Sequence, residues 1–164
     1  MKDLIEKLSS YNIFNYLLPG VVFVAISKSL TKYNFVQEDI VIGVFFYYFI
    51  GLVISRIGSI VIEPILKWVK FVNFSEYRDY IEASNKDKLI EVLSEANNMY
   101  RTFLSLFLSL SLLKIFEVFS ERFQLLNNLS SGIAIAGLLL LFAFSYKKQT
   151  AYITKRVASA KDKE

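Results

Sequence analysis

The sequence predicts an all-α integral membrane protein: a four-helix transmembrane bundle with an amphipathic helical cytoplasmic loop and a basic C-terminal tail. Three observations predict it. Residues 40–62 (IVIGVFFYYFIGLVISRIGSIVI) contain one charge, Arg56. As a helix they extend about 34 Å, enough to cross a hydrocarbon core of about 30 Å with some tilt. The composition is 54% hydrophobic and 16% aromatic, with mean hydropathy +0.42, and 15 Phe and 10 Tyr exceed what a soluble domain of 164 residues can hide. Three further apolar runs, near residues 13–30, 99–119 and 125–146, complete the set of four spans within one membrane domain.

In chain order, residues 1–10 place Leu4, Ile5 and Leu8 opposite Lys2, Asp3, Glu6 and Lys7, the pattern of a short interfacial helix or of a solvated N-terminal turn. The first apolar run begins only after Tyr11 and lacks a small-x-small cleavage pattern before Pro19, so a cleavable signal peptide is not expected. In the first span Pro19 removes a backbone donor and predicts a kink near Tyr16. Asn15 is costly facing lipid, so it is expected to point into the protein or to sit at headgroup depth. Residues 33–39 form a short polar connection.

In the second span Gly51, Ser55 and Ser59 recur every four residues. Small residues at this spacing let another helix approach closely, either from the same chain or from a second subunit. Arg56 lies about 24 Å along this helix. It is expected to snorkel to the nearer interface or to pair with Glu63; a pore-lining role is the alternative. Lys67, Trp68 and Lys70 read as an interfacial anchor. In the loop over residues 63–98, residues 77–83 predict a short helix broken by Ser84 and Asn85, and residues 87–97 a separate amphipathic one. Glu91 and Glu95 are spaced i, i+4, but no third acid, His or Cys accompanies them, which favours a solvated face over a metal site.

The third span carries Ser105, Ser109 and Ser111. Serines in such helices bond back to their own backbone or to a neighbouring helix, and less often line a polar path. Residues 121–131, with Asn127 and Asn128, read as a connection leading into the last span, which Lys147 and Lys148 stop; residues 147–164 form the basic tail.

Charge orients the bundle. Lys and Arg number two before Tyr11, six in residues 63–101 and six after Tyr146, fourteen on one side, against four in the two opposite connections. The positive-inside rule then places both termini in the cytoplasm of a cell with the protein in its inner membrane. So basic a cytoplasmic surface is expected to attract anionic lipid headgroups.

Much chemistry has no support. With neither His nor Cys in the chain, the commonest general base, disulfides and thiolate metal sites are excluded. No Walker loop, GxGxxG, GxSxG or HExxH occurs. No catalytic residue, metal site or cofactor is therefore expected. Nucleic acid is not indicated directly, because Glu76, Asp79, Glu82, Asp87, Glu91 and Glu95 nearly neutralise the loop.

Residues 11–20 (YNIFNYLLPG), running straight into a first span, resemble the start of small four-span membrane proteins of bacterial anti-phage defence systems, the Kiwa membrane subunit among them. A more distant resemblance is to the membrane partner of a type VI CRISPR nuclease, whose Arg and His pair has no counterpart here. The resemblance extends to about Leu66, and its motif is an Asn-aromatic lead-in followed by Pro19-Gly20. It implies an oligomeric pore or a membrane-held sensor with a cytoplasmic partner.

These readings together predict a homo-oligomeric effector with an ion-channel-like pore between subunits, lined by Asn15, Arg56, Ser105, Ser109 and Ser111. Two alternatives stand beside it: a non-conducting scaffold that recruits a cytoplasmic protein, and a holin-like pore.

Overall fold

Pro19 and Pro64 each deny the chain a backbone donor inside an apolar helix, and the chain answers both in the same way. In the computed structural model, which describes residues 11–161, a π-helical turn precedes each proline: Ile13–Leu17 before Pro19 and Gly58–Ile62 before Pro64. Leu18 N–H reaches Ile13 O and Glu63 N–H reaches Gly58 O, the wider i, i+5 pattern. The wider turn gives each proline ring room, and the proline then occupies the first turn of the next α-helical segment. The disturbance expected near Tyr16 is this π-turn. The expected amphipathic helix over residues 1–10 lies outside the described residues.

Among the described residues five helices are defined. α1 is Ile13–Leu30, α2 Ile40–Trp68, α3 Tyr77–Lys86, α4 Leu89–Arg122 and α5 Gln124–Lys161. Four of them, α1, α2, α4 and α5, are long and apolar enough to cross a membrane. Asp39 caps α2 by accepting from Ile42 N–H at 2.9 Å. α2 ends after Trp68 with Lys70 at φ 57°, and Phe71 N–H reaches back to Leu66 O. This is a Schellman closure built on a lysine, where glycine would carry no Cβ penalty.

Four boundaries differ from the expectation. Ser84 and Asn85 do not break α3, which runs to Lys86, because Ser84 is buried and its hydroxyl bonds back to Ile81 O. The loop helix and the third span are one helix, α4, of 34 residues. Nothing between Asn97 and Thr102 interrupts it, and Thr102 Oγ1 bonds to Asn98 O across the expected gap. Lys147 and Lys148 do not stop the last helix, and Asn127, Asn128 and Gly132 lie inside it; the only interruption between α4 and α5 is at Phe123. α4 and α5 are therefore about 51 and 57 Å long, well beyond an apolar thickness of about 30 Å.

The core is a three-helix affair. Phe23 and Val24 from α1, Ile54 from α2, and Leu106 and Leu110 from α4 form its buried cluster. α5 stands at the periphery: 6% of its most apolar window is buried inside the chain, against 22–33% for the other three. It touches α2 through stacked Phe49 and Phe142 rings, 6.2 Å apart. Such exposure suits lipid as solvent and would be costly in water.

α1 and α2 meet backbone to backbone. A Cβ on Gly20 would run into the Tyr47 carbonyl, and one on Gly51 into the Tyr16 carbonyl. The two Tyr-x-x-x-Gly segments thus seat each other reciprocally, as small residues do where apolar helices gain only packing energy. We expect Gly51→Ala to force the backbones apart and cost about 1–3 kcal/mol, as overpacking does. Gly132→Ala meets nothing within 4 Å and should be neutral or favourable by up to about 1 kcal/mol of helix propensity. Thermal unfolding of both variants in mild detergent checks the contrast.

Candidate functional site

The strip Gly51, Ser55, Ser59 on α2 is spent on three different helices of the same chain. Gly51 lies against α1. The Ser55 hydroxyl lies 3.3 Å from Thr102 Oγ1 of α4, within hydrogen-bond reach. Ser59 lies against α5, where its carbonyl and hydroxyl oxygens are 2.7 and 2.8 Å from Lys148 Nζ. On the facing side of α4, buried Ser105 donates to Ile54 O at 2.7 Å, and Gly58 packs on the Arg101 backbone. Such hydrogen bonds hold apolar helices in register, where hydrophobic contact cannot tell one register from the next.

One turn beyond Ser59 the same face of α2 presents Glu63, 5% exposed, and three cations converge on it. Lys67, one turn along α2, donates to Oε1 at 3.0 Å. Lys148 from α5 approaches Oε1 at 3.4 Å, and Arg101 from α4 donates from Nη1 to Oε2. A buried carboxylate is costly unless neutralised, and this one is surrounded. The cations are in excess, three against one. Two have aromatic faces nearby: Lys67 Nζ lies 4.1 Å from the Phe74 ring centroid and Lys148 Nζ 5.8 Å from that of Tyr152. Arg101 Nε is buried with no partner among the described residues.

Arg56 does not join this cluster. Its expected pairing with Glu63 is replaced by a hydrogen bond from Nη2 to the Tyr16 hydroxyl of α1, at 3.3 Å. Seven residues along an α-helix would bring the two onto a similar face. The intervening π-turn at Gly58–Ile62 rotates the later residues of α2, and Glu63 turns toward α4 and α5. Tyr16 in turn packs edge-on against Tyr11 and Tyr48. Burial, and after it the Tyr16 phenol, push the Tyr11 phenol above its ordinary value, so its hydroxyl stays protonated where Asn98 Nδ2 meets it at 3.4 Å. Asn15 is buried, and its Oδ1 has no partner among the described residues, a cost of order 1–3 kcal/mol.

The remaining predicted residues scatter. Ser109 is half-buried, and Ser111 is exposed with its hydroxyl returned to Phe107 O at 2.9 Å. Trp68 is 83% exposed and Lys70 is exposed beside it; Lys67 belongs to the Glu63 cluster. Glu91 and Glu95 are both exposed on α4.

A second buried carboxylate, not singled out by sequence pattern, closes the opposite end of the bundle. Glu117 of α4 accepts from Lys114 Nζ at 2.9 Å and from the Lys32 backbone N–H at 3.2 Å. It ties the end of α1 to α4. Its signal in the sequence is an acid following a basic residue at i, i+3, too common on solvated helices to stand out.

No protein-family model matches the chain, and neither does any curated protein or any solved structure.

Removing the shared carboxylate should leave three cations crowded at one buried point. We expect Glu63→Ala to destabilise the protein by about 2 kcal/mol or more, within the range for a broken buried ion pair after allowance for the partly exposed lysines. Glu63→Gln, which keeps the acceptor oxygen, should lose less. Detergent unfolding curves for the two variants test this order.

Proposed function

We propose that the chain is a membrane-held scaffold that presents a rigid helical platform to a cytoplasmic partner protein. The observation that carries this reading is the continuation of α4 and α5 past their apolar runs. Residues 89–98 prolong α4 by about 15 Å, and residues 147–161 prolong α5 by about 22 Å. These extensions expose Leu89, Val92 and Leu93 on one helix and Ile153 and Val157 on the other. α3 braces them: it packs on α4, and its Tyr77 ring lies 6.0 Å from Tyr152 of α5. Exposed apolar groups among charges on a fixed frame suit a protein contact.

The same geometry supports a scaffold over a pore. A path between subunits needs polar side chains on the outer surface at mid-depth. Of the residues expected to line one, Asn15 and Ser105 are instead buried inside the protomer, Arg56 is engaged with Tyr16, Ser109 is half-buried, and exposed Ser111 returns its hydroxyl to Phe107 O. The excess of Lys and Arg at the platform end supports a cytoplasmic position for that end and for both termini. A partnered membrane subunit of a bacterial defence system is the setting that the resemblance of residues 11–20 suggests.

Three readouts test the proposal together. Reporters fused after Asn85 and after Glu164 should read cytoplasmic, and one near Asn34 external. Liposomes holding the purified chain should retain both a small dye and a potassium gradient. Photo-crosslinkers at Leu93 and at Val157 should give an adduct of the same mass in cells, lost on Leu93→Glu with unchanged thermal stability. Steady potassium release from the liposomes would sink the scaffold and restore a pore.

A further inference from the structure

The Glu63 cluster carries more positive charge than the fold requires. One carboxylate meets Lys67, Arg101 and Lys148, a local excess of two positive charges. No other acidic side chain makes an ion pair with any of the three among the described residues. Ser59 adds only neutral oxygens. The cations are not sealed: the Lys67 side chain is 44% exposed, and those of Lys148 and Arg101 retain 26% and 20%. Partly desolvated cations held together by a fixed frame attract an anion more strongly than the same charges spread in water.

Depth selects the kind of anion. Glu63 comes directly after the apolar run 40–62, Arg101 precedes the apolar residues 102–113, and Lys148 lies just past the run 132–146. The helix register thus brings the three cations together at the level where three apolar segments end, which is where lipid phosphates lie. The rim is apolar and open. Phe74 sits against Lys67, and Trp68 and Phe71 are 83% and 76% exposed on the same stretch of chain. A soluble anion has no use for such a rim, whereas the glycerol and acyl part of a lipid does.

We propose that Lys67, Arg101 and Lys148 form a specific site for the phosphate of an anionic phospholipid headgroup, with Glu63 holding the three cations in place. The site depends on the protein lying in a membrane and is independent of whether the platform recruits a partner. Diffuse attraction between a basic surface and an anionic leaflet needs no such site and falls equally on every exposed lysine. A bound lipid instead distinguishes the clustered lysines from the rest.

The full chain in a neutral detergent micelle removes the leaflet's surface field and leaves only the site. Native mass spectrometry with added dioleoylphosphatidylglycerol should show one lipid bound per protomer in preference to dioleoylphosphatidylcholine. Lys67→Gln should weaken this binding about five-fold, the factor equivalent to about 1 kcal/mol for one lysine near an anionic surface. Lys155→Gln, an exposed lysine on the α5 extension, should leave it unchanged. Lys67 is the chosen position because Arg101 and Lys148 still neutralise Glu63 in that variant. Unchanged thermal stability without lipid confirms that the variant is folded, and Lys67→Arg should retain binding. Equal binding of the two lipids overturns the proposal, as does equal weakening by the Lys67 and Lys155 variants. Displacement of phosphatidylglycerol by millimolar inorganic phosphate, with a matching rise in thermal stability from phosphate alone, would reassign the site to a soluble anion and overturn the lipid assignment.

Discussion

One buried carboxylate, Glu63, stands where three long helices meet, and through Lys148 it ties α5 to α2. α1, α2 and α4 share an apolar cluster around Leu106 and Ile54. α5 has little such contact. Its contacts with the rest include the Phe49–Phe142 stack, the Tyr152–Tyr77 ring contact and the three hydrogen bonds from Lys148 to Ser59 and Glu63. In an apolar solvent a helix gains nothing by leaving lipid for another apolar helix, so polar and close-packed contacts decide where it rests. An ion pair at the end of the apolar run is directional in a way that leucine on leucine is not.

The backbone imposes the complementary constraint. Gly20 and Gly51 let α1 and α2 touch main chain to main chain, and the π-turn before each proline sets which side chains face inward after it. The second π-turn matters most for the candidate site, because it lies between Arg56 and Glu63 and sends them to different neighbours. Several buried hydroxyls obey the same logic. Ser27, Ser105, Thr102 and Ser120 each bond to a carbonyl within reach, since an unmet hydroxyl inside a bundle has no water to turn to. The two buried carboxylates, Glu63 and Glu117, clamp opposite ends of the bundle with lysines that reach out toward polar surroundings.

The helical extensions are the part of the fold on which the proposed scaffold role rests. α4 and α5 carry the order of the bundle beyond the apolar layer, so that Leu93 and Val157 are held by helices anchored some turns away. The lipid site proposed at the foot of these extensions would sit between the bundle and the platform. An anion bound to Lys148 would bear on the helix that leads to Val157.

The sequence by itself determined the helical class and the four apolar segments, because hydropathy over some twenty residues is a sum to which no single contact matters. It also marked the small strip Gly51, Ser55, Ser59 and Pro19, whose effects are local, but not Pro64. It did not determine that α4 and α5 are continuous. Paired asparagines and lysines weaken a helix only slightly, and contacts such as Thr102 to Asn98 and Lys148 to Ser59 outweigh that preference. Nor could it show the Glu63 cluster. Arg101 and Lys148 lie 38 and 85 residues from Glu63 along the chain, each ordinary where it stands. Only the antiparallel register of α2 on α4, together with the turn imposed by the π-segment before Pro64, brings them to one point. Tertiary structure decided the site because charge is recognised across helices, whereas a sequence pattern is legible only along one.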